Sequence, residues 1–315
     1  MTALAFSKGH GTHNDFVLLN DPEGNLDLDE ALVARLADRR GGIGGDGVIR
    51  VIKSEHLSEG REVLAQESAA VWFMDYRNAD GSIAQMCGNG VRVFAAYLER
   101  LGLVDFTDGV PVPIGTRAGL RTVRKEGDWF TVGMGKWRFT FPEQAGSAGL
   151  DSEVRLVGIS GTEVRPALSI DMGNPHTVAA VSNADELASI NFTDIPEVSP
   201  LPPHGTNVEV VVPLPAQSTA EGSIGHIAMR VHERGVGETQ SCGTGACAAA
   251  LAVRHWLSQS VASSQIDDDT ASSVPDVWLV DVPGGQVRVS VSGQDVELSG
   301  PAVIVADGTL DTALL

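Results

Sequence analysis

Lysine, aromatic residues and long apolar runs are scarce in this sequence. Its 315 residues include four lysines and 5% aromatic residues, and the formal net charge is −19. A chain this acidic disfavours nucleic acid and anionic membranes as partners. No apolar stretch approaches the roughly 20 residues that a membrane-spanning helix requires. The opening MTALAFSKGH also lacks the basic start and apolar core of a signal peptide, so the sequence predicts a cytoplasmic protein.

Cysteine is also rare, and its spacing argues against two kinds of site. Cys87, Cys242 and Cys247 are odd in number, and no pair has CxxC spacing. A structural disulfide framework and a zinc site are therefore not expected. Pyridoxal phosphate is not expected either, because none of the four lysines lies in a recognisable phosphate-binding setting. The sequence thus predicts a protein that uses no metal and no cofactor.

One short pattern occurs twice. Residues 85–90 are QMCGNG and residues 240–245 are QSCGTG, and an apolar stretch with helical spacing follows each. We call these segments the first box and the second box. The repeat extends upstream, since Asn14 and Asn174 both lie in polar loops between predicted strands. The chain therefore consists of two similar halves, in agreement with a length of roughly 150 residues per domain.

The repeat predicts an α+β fold with two pseudo-symmetric domains. The first domain is predicted to comprise residues 1–136 and 301–315 and to carry the first box. The second is predicted to comprise residues 137–300 and to carry the second box. The polar, acidic segment 257–276 is interpreted as a flexible loop without a chemical role.

A Cys-Gly-x-Gly box at the start of a helix has a definite chemistry. The first N–H groups of a helix have no internal acceptor, and this end carries a partial positive charge. The thiol pKa is therefore expected to fall, and the N–H groups can bind a carboxylate. Two such thiols, one on each face of a carbon, suit the removal of an α-hydrogen from one face and its return on the other. The helix ends would stabilise the enolate-like oxygens.

Each of these residue types, taken alone, also has an ordinary structural explanation. Cys247 is interpreted as a packing residue, and a single Cys87 or Cys242 is as well explained by burial. The asparagines of the motifs are favourable turn residues for local reasons. Glu233 and Arg234 have the character of a solvated charge pair. It is the repetition of the box with matching flanks that favours catalysis.

Taken together, the motifs resemble the cofactor-independent diaminopimelate epimerases in an actinobacterial form. The matching segments are GHGTHNDFVLL, RRGGIGGDG, MDYRNADGSIAQMCGNGVRVFA, DMGNPH, GTNVEV, RVHERGVGETQSCGTGACAAA and VPGG. The resemblance implies that each domain is a mixed, barrel-like sheet around a central α-helix, with the active site in the interdomain cleft. It implies an isomerase that interconverts LL- and meso-diaminopimelate for lysine and peptidoglycan biosynthesis, with a homodimer as the expected assembly.

The same resemblance assigns the site residues. The catalytic pair would be Cys87 and Cys242, and His176 and Glu233 would set the pKa values of the thiols. Many members have glutamine where this chain has Gly47, so the contact of that side chain with substrate is not carried over. The positions expected to contact substrate are Asn14, Asn78, Gly88, Asn89, Asn174, Asn207, Glu233, Arg234, Gly243 and Thr244.

Three other functions remain open from the sequence. An isomerase of the same fold that acts on proline or hydroxyproline would be separated by a substrate assay. A thiol hydrolase or acyltransferase with a Cys–His pair would form an acyl-enzyme and need one cysteine. A non-catalytic amino-acid-binding protein would keep its affinity without either thiol. If both thiols face one small cleft, oxidation is also expected to join Cys87 to Cys242, a link that mass spectrometry would detect.

Overall fold

The computed structural model describes residues 3–159, 164–219, 222–263 and 274–311. It divides into two compact units. The first unit consists of residues 1–133 and 299–315, and the second consists of residues 134–298. The boundaries predicted from the sequence lie after residues 136 and 300. We describe each unit by itself.

The secondary structure of the described ranges is mostly strand. The helices are α1 (Glu30–Ala37), α2 (Ser58–Gln66), α3 (Gly88–Arg100), α4 (Pro142–Ala148), α5 (Ala184–Ser189) and α6 (Gly243–Ser263), with 3-10 turns at Ser54–His56 and Thr107–Gly109. The strands are β1 (Ala3–Gly11), β2 (Asn14–Asn20), β3 (Gly47–Lys53), β4 (Trp72–Asn78), β5 (Val112–Thr116), β6 (Gly119–Glu126), β7 (Trp129–Lys136), β8 (Arg138–Phe139), β9 (Ser152–Arg155), β10 (Val164–Asp171), β11 (Pro175–Ala180), β12 (Glu197–Ser199), β13 (Asn207–Thr219), β14 (Gly222–Glu233), β15 (Gly237–Thr239), β16 (Val277–Val282), β17 (Gly285–Ser292), β18 (Asp295–Pro301) and β19 (Val303–Asp311).

The first unit is a mixed sheet around α3. Its strands are hydrogen-bonded in the order β19–β1–β2–β3–β4–β5–β6–β7, and β2–β3 and β4–β5 are parallel pairs. Helix α3 packs against β1, β2, β3, β4, β6 and β19. Every residue from 88 to 98 is buried, because a helix that is surrounded by a sheet has no solvent face. Full burial of each large apolar side chain contributes about 1.5–3 kcal/mol.

The second unit repeats this plan around α6. Its strands are hydrogen-bonded in the order β12–β9–β10–β11–β13–β14–β16–β17, and β11–β13 and β14–β16 are parallel pairs. Helix α6 packs against β10, β11, β13, β14, β16 and β17. Residues 245–253 are all buried. The prediction of two similar halves, each a sheet around one central helix, is confirmed.

The strand registers identify equivalent residues in the two units. In the first unit β2 pairs parallel with β3, which pairs antiparallel with β4. In the second unit β11, β13 and β14 are related in the same way. The equivalent pairs are Phe16 and His176, Gly47 and Asn207, Ile49 and Glu209, Tyr76 and Val231, and Asn78 and Glu233.

The prediction for segment 257–276 is wrong over its first seven residues. Residues 257–263 continue α6, and residues 264–273 lie outside the described ranges. The helix continues because its preceding turn is anchored to the end of α4. The indole N–H of Trp256 donates to the carbonyl of Gly149 at 2.8 Å, and His255 Nε2 lies 3.1 Å from the carbonyl of Ala145.

The described ranges contain neither a membrane-spanning helix nor a cluster of metal ligands. None of the helices in them has the length and apolar character that crossing a membrane requires. In the same ranges, no group of three or more histidine, cysteine or acidic side chains is arranged to hold a metal ion.

Candidate active site

Cys87 lies at the N-terminus of α3, as its box predicts. Its backbone is extended, with φ −136° and ψ 121°, and its Sγ accepts a hydrogen bond from the N–H of Gly90 at 3.4 Å. The side chain is half-buried. The N–H groups of Gly88 and Asn89 belong to the first helical turn, which has no intrahelical acceptors for them. The first box therefore combines a thiol with donors suited to an anion.

Asn14 and Asn89 meet at this thiol. Cys87 Sγ donates to Asn14 Oδ1 at 3.3 Å, and Asn89 Nδ2 donates to the same oxygen at 3.3 Å. Asn14 Nδ2 in turn donates to Asp46 Oδ2 at 2.7 Å. Asp46 belongs to the GIGGDG segment and accepts a further bond from Arg39 at 2.7 Å. The Gly-rich turn therefore orients Asn14 towards the first box.

Asn78 lies at the end of β4, opposite Gly47 in the strand register. Its side chain donates to Ser82 Oγ at 3.0 Å, which holds it in the turn that leads to the first box. A Cβ on Gly47 would stand 2.4 Å from the carbonyl of Arg77 and 2.6 Å from Cε2 of Tyr76. The space that a glutamine would need at position 47 is thus filled by the neighbouring strand.

Cys242 has the equivalent position at α6 but is buried, with 7% of its surface exposed. Its Sγ accepts the N–H of Gly245 at 3.4 Å and lies 3.5 Å from Thr244 Oγ1. Asn174 Nδ2 donates to this hydroxyl at 3.3 Å. Gly243 and Thr244 open the helix, so their N–H groups are the counterparts of those of Gly88 and Asn89. The second box therefore repeats the arrangement of the first, with a threonine between the asparagine and the thiol.

Acidic groups and a histidine surround the second thiol. Glu233 accepts a hydrogen bond from the hydroxyl of Thr239, and its carboxylate is close enough to Cys242 to influence the pKa of that thiol. His176 Nδ1 lies 2.7 Å from Glu209 Oε1, and both side chains are fully buried. Burial raises the pKa of Glu233 above its usual value, Thr239 opposes this, and Glu209 adds to it.

The expectation of a lowered thiol pKa is wrong for Cys242. Burial raises the pKa of this thiol well above its usual value, and the carboxylates of Glu233 and Glu209 add to the effect. The Thr244 hydroxyl and the Gly245 N–H act in the opposite direction. A helix terminus contributes about 0.3–1 kcal/mol, up to about 2 kcal/mol when partly buried. Desolvation together with two nearby negative charges outweighs it.

Asn207 and Arg234 lie beside each other at the start of β13 and after the end of β14. Asn207 Oδ1 accepts the backbone N–H of Arg234 at 2.9 Å, and Asn207 Nδ2 donates to the carbonyl of Pro175 at 3.3 Å. The guanidinium of Arg234 donates to the carbonyl of His204. Both side chains are therefore fixed by backbone contacts in the second unit.

The residues predicted for the site fall into two groups by unit. The first unit joins Asn14, Cys87 and Asn89 by direct hydrogen bonds. The second joins Asn174, Thr244 and Cys242 in one chain of contacts, and the charge of Glu233 acts on the same thiol.

Two residues that contact the predicted site residues, Asp46 and Glu209, were not predicted from the sequence. The signal for Glu209 was a single acid in the apolar run NVEVVV, and Asp46 was interpreted as part of a turn. Both gain their contacts only through the parallel strand pairs.

Comparison with known proteins gives full-length matches. The family described as diaminopimelate epimerase matches residues 6–140 and 168–305. A protein of Streptomyces coelicolor named diaminopimelate epimerase is 46% identical over 100% of this chain and 98% of its own length. One of Thermobifida fusca with the same name is 44% identical over 99% of this chain and 100% of its own.

Solved structures share the fold at low identity. A Bacillus anthracis phenazine biosynthesis protein of the PhzF family has a TM-score of 0.59 at 15% identity, over 98% of this chain and 99% of that one. A probable proline racemase from Agrobacterium radiobacter has a TM-score of 0.54 at 14% identity, over 98% of this chain and 93% of that one.

These structural likenesses describe the fold alone. The matches to the named relatives extend over 99–100% of this chain. With the family match over most of the sequence, it follows that this chain belongs to the diaminopimelate epimerase family.

Proposed function

We propose that this protein is a cofactor-independent isomerase that interconverts LL- and meso-diaminopimelate. The observation that carries the proposal is the duplicated box, in which a cysteine Sγ accepts the third N–H of a buried central helix in each unit. Two thiols in equivalent frames match an inversion, which needs one group to take a proton and another to return one. The full-length relatives named diaminopimelate epimerase supply the substrate class.

In the proposed reaction Cys87 and Cys242 act as the two acid–base groups. One cysteine, as thiolate, removes the α-hydrogen and becomes a thiol. The other, as thiol, gives its proton to the opposite face of the same carbon and becomes a thiolate. The N–H groups of Gly88, Asn89, Gly243 and Thr244 stabilise the carboxylate oxygens, on which negative charge grows as the α-hydrogen leaves.

Recognition of the rest of the substrate is proposed for the polar groups around the boxes. Diaminopimelate carries two ammonium and two carboxylate groups. The asparagines offer both donors and acceptors, which suits a zwitterion. Glu233 can accept from an ammonium, and Arg234 can pair with the distal carboxylate. In this proposal Asn14, Asn78, Asn174 and Asn207 complete the substrate contacts, and His176 with Glu233 tunes the thiols.

The reaction is tested by exchange of the α-hydrogen. Reduced enzyme without pyridoxal phosphate is expected to carry deuterium from D2O into the α-position of diaminopimelate, as followed by NMR. Cys87→Ala and Cys242→Ala are each expected to lower the rate of inversion at least a thousandfold, since each removes one proton-transfer group. Cys247→Ala, at a buried packing position in α6, is the matched control and should keep the wild-type rate. Exchange into proline instead, or no exchange, contradicts the proposal.

The wider setting of this function is also proposed. Diaminopimelate interconversion places the protein in lysine and peptidoglycan biosynthesis in the cytoplasm, and the family resemblance supports a homodimer. We propose the two units as the two domains, each supplying one box. Sedimentation at several concentrations tests the dimer, which predicts twice the 33.0 kDa mass of the chain.

A further inference from the structure

Glu209 is a charged residue at the centre of a buried strand. It is fully buried, as are its neighbours Val208 and Val210, which belong to an apolar cluster on one face of β13. The side chain of Glu209 lies on the other face, towards the start of α6. An isolated buried carboxylate is costly, so a glutamate at this position calls for an explanation beyond packing.

Glu209 reaches the second box through a gap left by a glycine. Its Oε1 lies 2.6 Å from the point where a Cβ on Gly245 would stand, and Cys242 Sγ lies 3.3 Å from the same point. Gly245 also donates its N–H to that sulfur at 3.4 Å. The carboxylate and the sulfur therefore share one positive helix end, where a carboxylate and a thiolate would repel each other.

The His176–Glu209 pair is incompletely satisfied. Nδ1 and Oε1 are 2.7 Å apart, but His176 Nε2 and Glu209 Oε2 are buried without a hydrogen-bond partner in the described part of the chain. A pair that served stability alone would be expected to satisfy all its polar atoms. One polar atom of each of these two side chains therefore remains without a hydrogen bond in the described part of the chain.

The first unit shows that the fold does not require this pair. The residues equivalent to His176 and Glu209 are Phe16 and Ile49. Phe16 Cζ and Ile49 Cδ1 lie 3.5 and 3.3 Å from the Cβ position of Gly90, where they pack the first box with apolar atoms. The same architecture is therefore built with a phenyl ring and an isoleucine.

Other titratable groups near Glu209 come from two elements. Glu233 of β14 faces the second box, and Cys242 precedes α6. Arg230 of β14 donates to the carbonyl of Leu187 and lies over the ring of Phe192, on the opposite face of the sheet. Besides Glu233 and Cys242, the titratable neighbour of Glu209 is His176, which lies within hydrogen-bond distance of it.

We propose that Glu209 is a positioning residue for Cys242, which orients His176 and keeps the Cys242 thiol protonated before substrate binds. This rests on the proposed function, because a thiol that returns a proton must hold one first. Burial already raises the pKa of Cys242, and the Glu233 and Glu209 carboxylates raise it further. The equivalent positions of the first unit hold the apolar residues Phe16 and Ile49, so they place no carboxylate beside Cys87. The two thiols therefore differ in their electrostatic surroundings.

The test uses the full chain with Glu209→Gln in a Cys87→Ala background. Iodoacetamide labelling of Cys242 is followed from pH 6 to 10 by mass spectrometry, with fragment ions separating it from Cys247. The labelling curve is expected to move to lower pH, with a rate at pH 7 about tenfold above that of the background, because one opposing charge is removed. Glu197→Gln is the matched control and should leave the curve unchanged, since Glu197 is exposed and pairs with Arg155. An unchanged Glu209→Gln curve overturns the proposal.

A second variant separates this role from a structural one. The double change His176→Phe with Glu209→Ile copies the pair of the first box, so the unit is expected to fold with a wild-type circular dichroism spectrum. Its Cys242 should label as fast as in Glu209→Gln, and in a background with Cys87 intact its inversion rate should fall at least tenfold. Wild-type labelling in this folded variant contradicts the role of Glu209. If the labelling shifts as expected but the wild-type enzyme does not exchange the α-hydrogen of diaminopimelate, only the proposed function is refuted.

Discussion

At the residue scale, Glu233 combines two opposing influences. Burial raises its pKa, and the Thr239 hydroxyl and the charge of His176 lower it, with a net increase above 4.5. The folded protein therefore holds this proton at pH values where the unfolded chain has released it. The stability that the bound proton contributes is fully present below about pH 4.5 and is lost as the pH rises through the folded pKa.

Glu233→Gln is expected to reverse this loss. The glutamine keeps an oxygen that can accept from Thr239 but cannot ionise. The free energy of unfolding of the variant should therefore exceed that of the wild type by an amount that grows from pH 5 to pH 8, to on the order of 1 kcal/mol. Urea unfolding across this range measures the difference. Glu238→Gln, which changes an exposed partner of Arg230, serves as control and should show no such trend. A constant difference between Glu233→Gln and wild type contradicts the prediction.

Gly47 shows that a residue common in a family need not fit at the equivalent position of one member. Because the carbonyl of Arg77 lies 2.4 Å from its Cβ position, Gly47→Ala should lower the free energy of unfolding by about 1–3 kcal/mol. Gly146→Ala in α4 has no atom within 4 Å of its new Cβ and should be neutral or stabilising. The urea midpoints of the two variants test this expectation. An unaltered midpoint for Gly47→Ala would contradict it and show that the neighbouring strand moves to make room for the methyl group.

At the scale of elements, the two central helices begin alike but meet different neighbours. Both boxes place a sulfur on the third N–H of the helix. The glycine that provides this N–H faces Ile49 in the first unit and Glu209 in the second. One helix start is therefore enclosed by apolar atoms and the other by a carboxylate.

The paired variants Gly90→Ala and Gly245→Ala test this difference. A helical Gly→Ala change gains up to about 1 kcal/mol, and Gly90→Ala brings no contact closer than 3.3 Å, so it should be close to neutral in stability. Gly245→Ala displaces a carboxylate that is held by His176, so it should lower both the urea midpoint and, at least tenfold, the exchange rate. Equal effects of the two variants would contradict this account.

At the scale of the whole molecule, excess negative charge is the dominant feature. The chain carries a formal charge of −19, and its isoelectric point is about 4.7. Repulsion among like charges opposes compact states and is screened by salt, with a Debye length of about 10 Å at 0.1 M.

Salt is therefore expected to stabilise the protein at neutral pH. The thermal midpoint at pH 7.5 should rise by a few degrees, on the order of 1 kcal/mol, between 10 and 300 mM NaCl. At pH 5, close to the isoelectric point, the same increment should largely disappear because the net charge is small. Calorimetry at both pH values measures this, and an equal salt effect at both would show that repulsion is not its cause.

The sequence by itself determined the repeated architecture and the position of both thiols. A box of six residues at the start of an apolar helix is a local pattern, so Cys87 and Cys242 could be placed at helix N-termini without coordinates. Strand alternation and turn residues likewise predicted the sheets. These features depend on neighbours within a few positions of the chain.

Only the tertiary structure decided how each thiol is tuned. Glu209 and His176 are 33 residues apart and meet because β11 and β13 pair in parallel, and Asp46 reaches Asn14 through the equivalent pairing in the first unit. Burial, which raises the pKa of Cys242 most, is likewise a property of the folded unit. Electrostatic effects depend on distance and solvent exclusion, and neither is encoded in the spacing of residues along the chain.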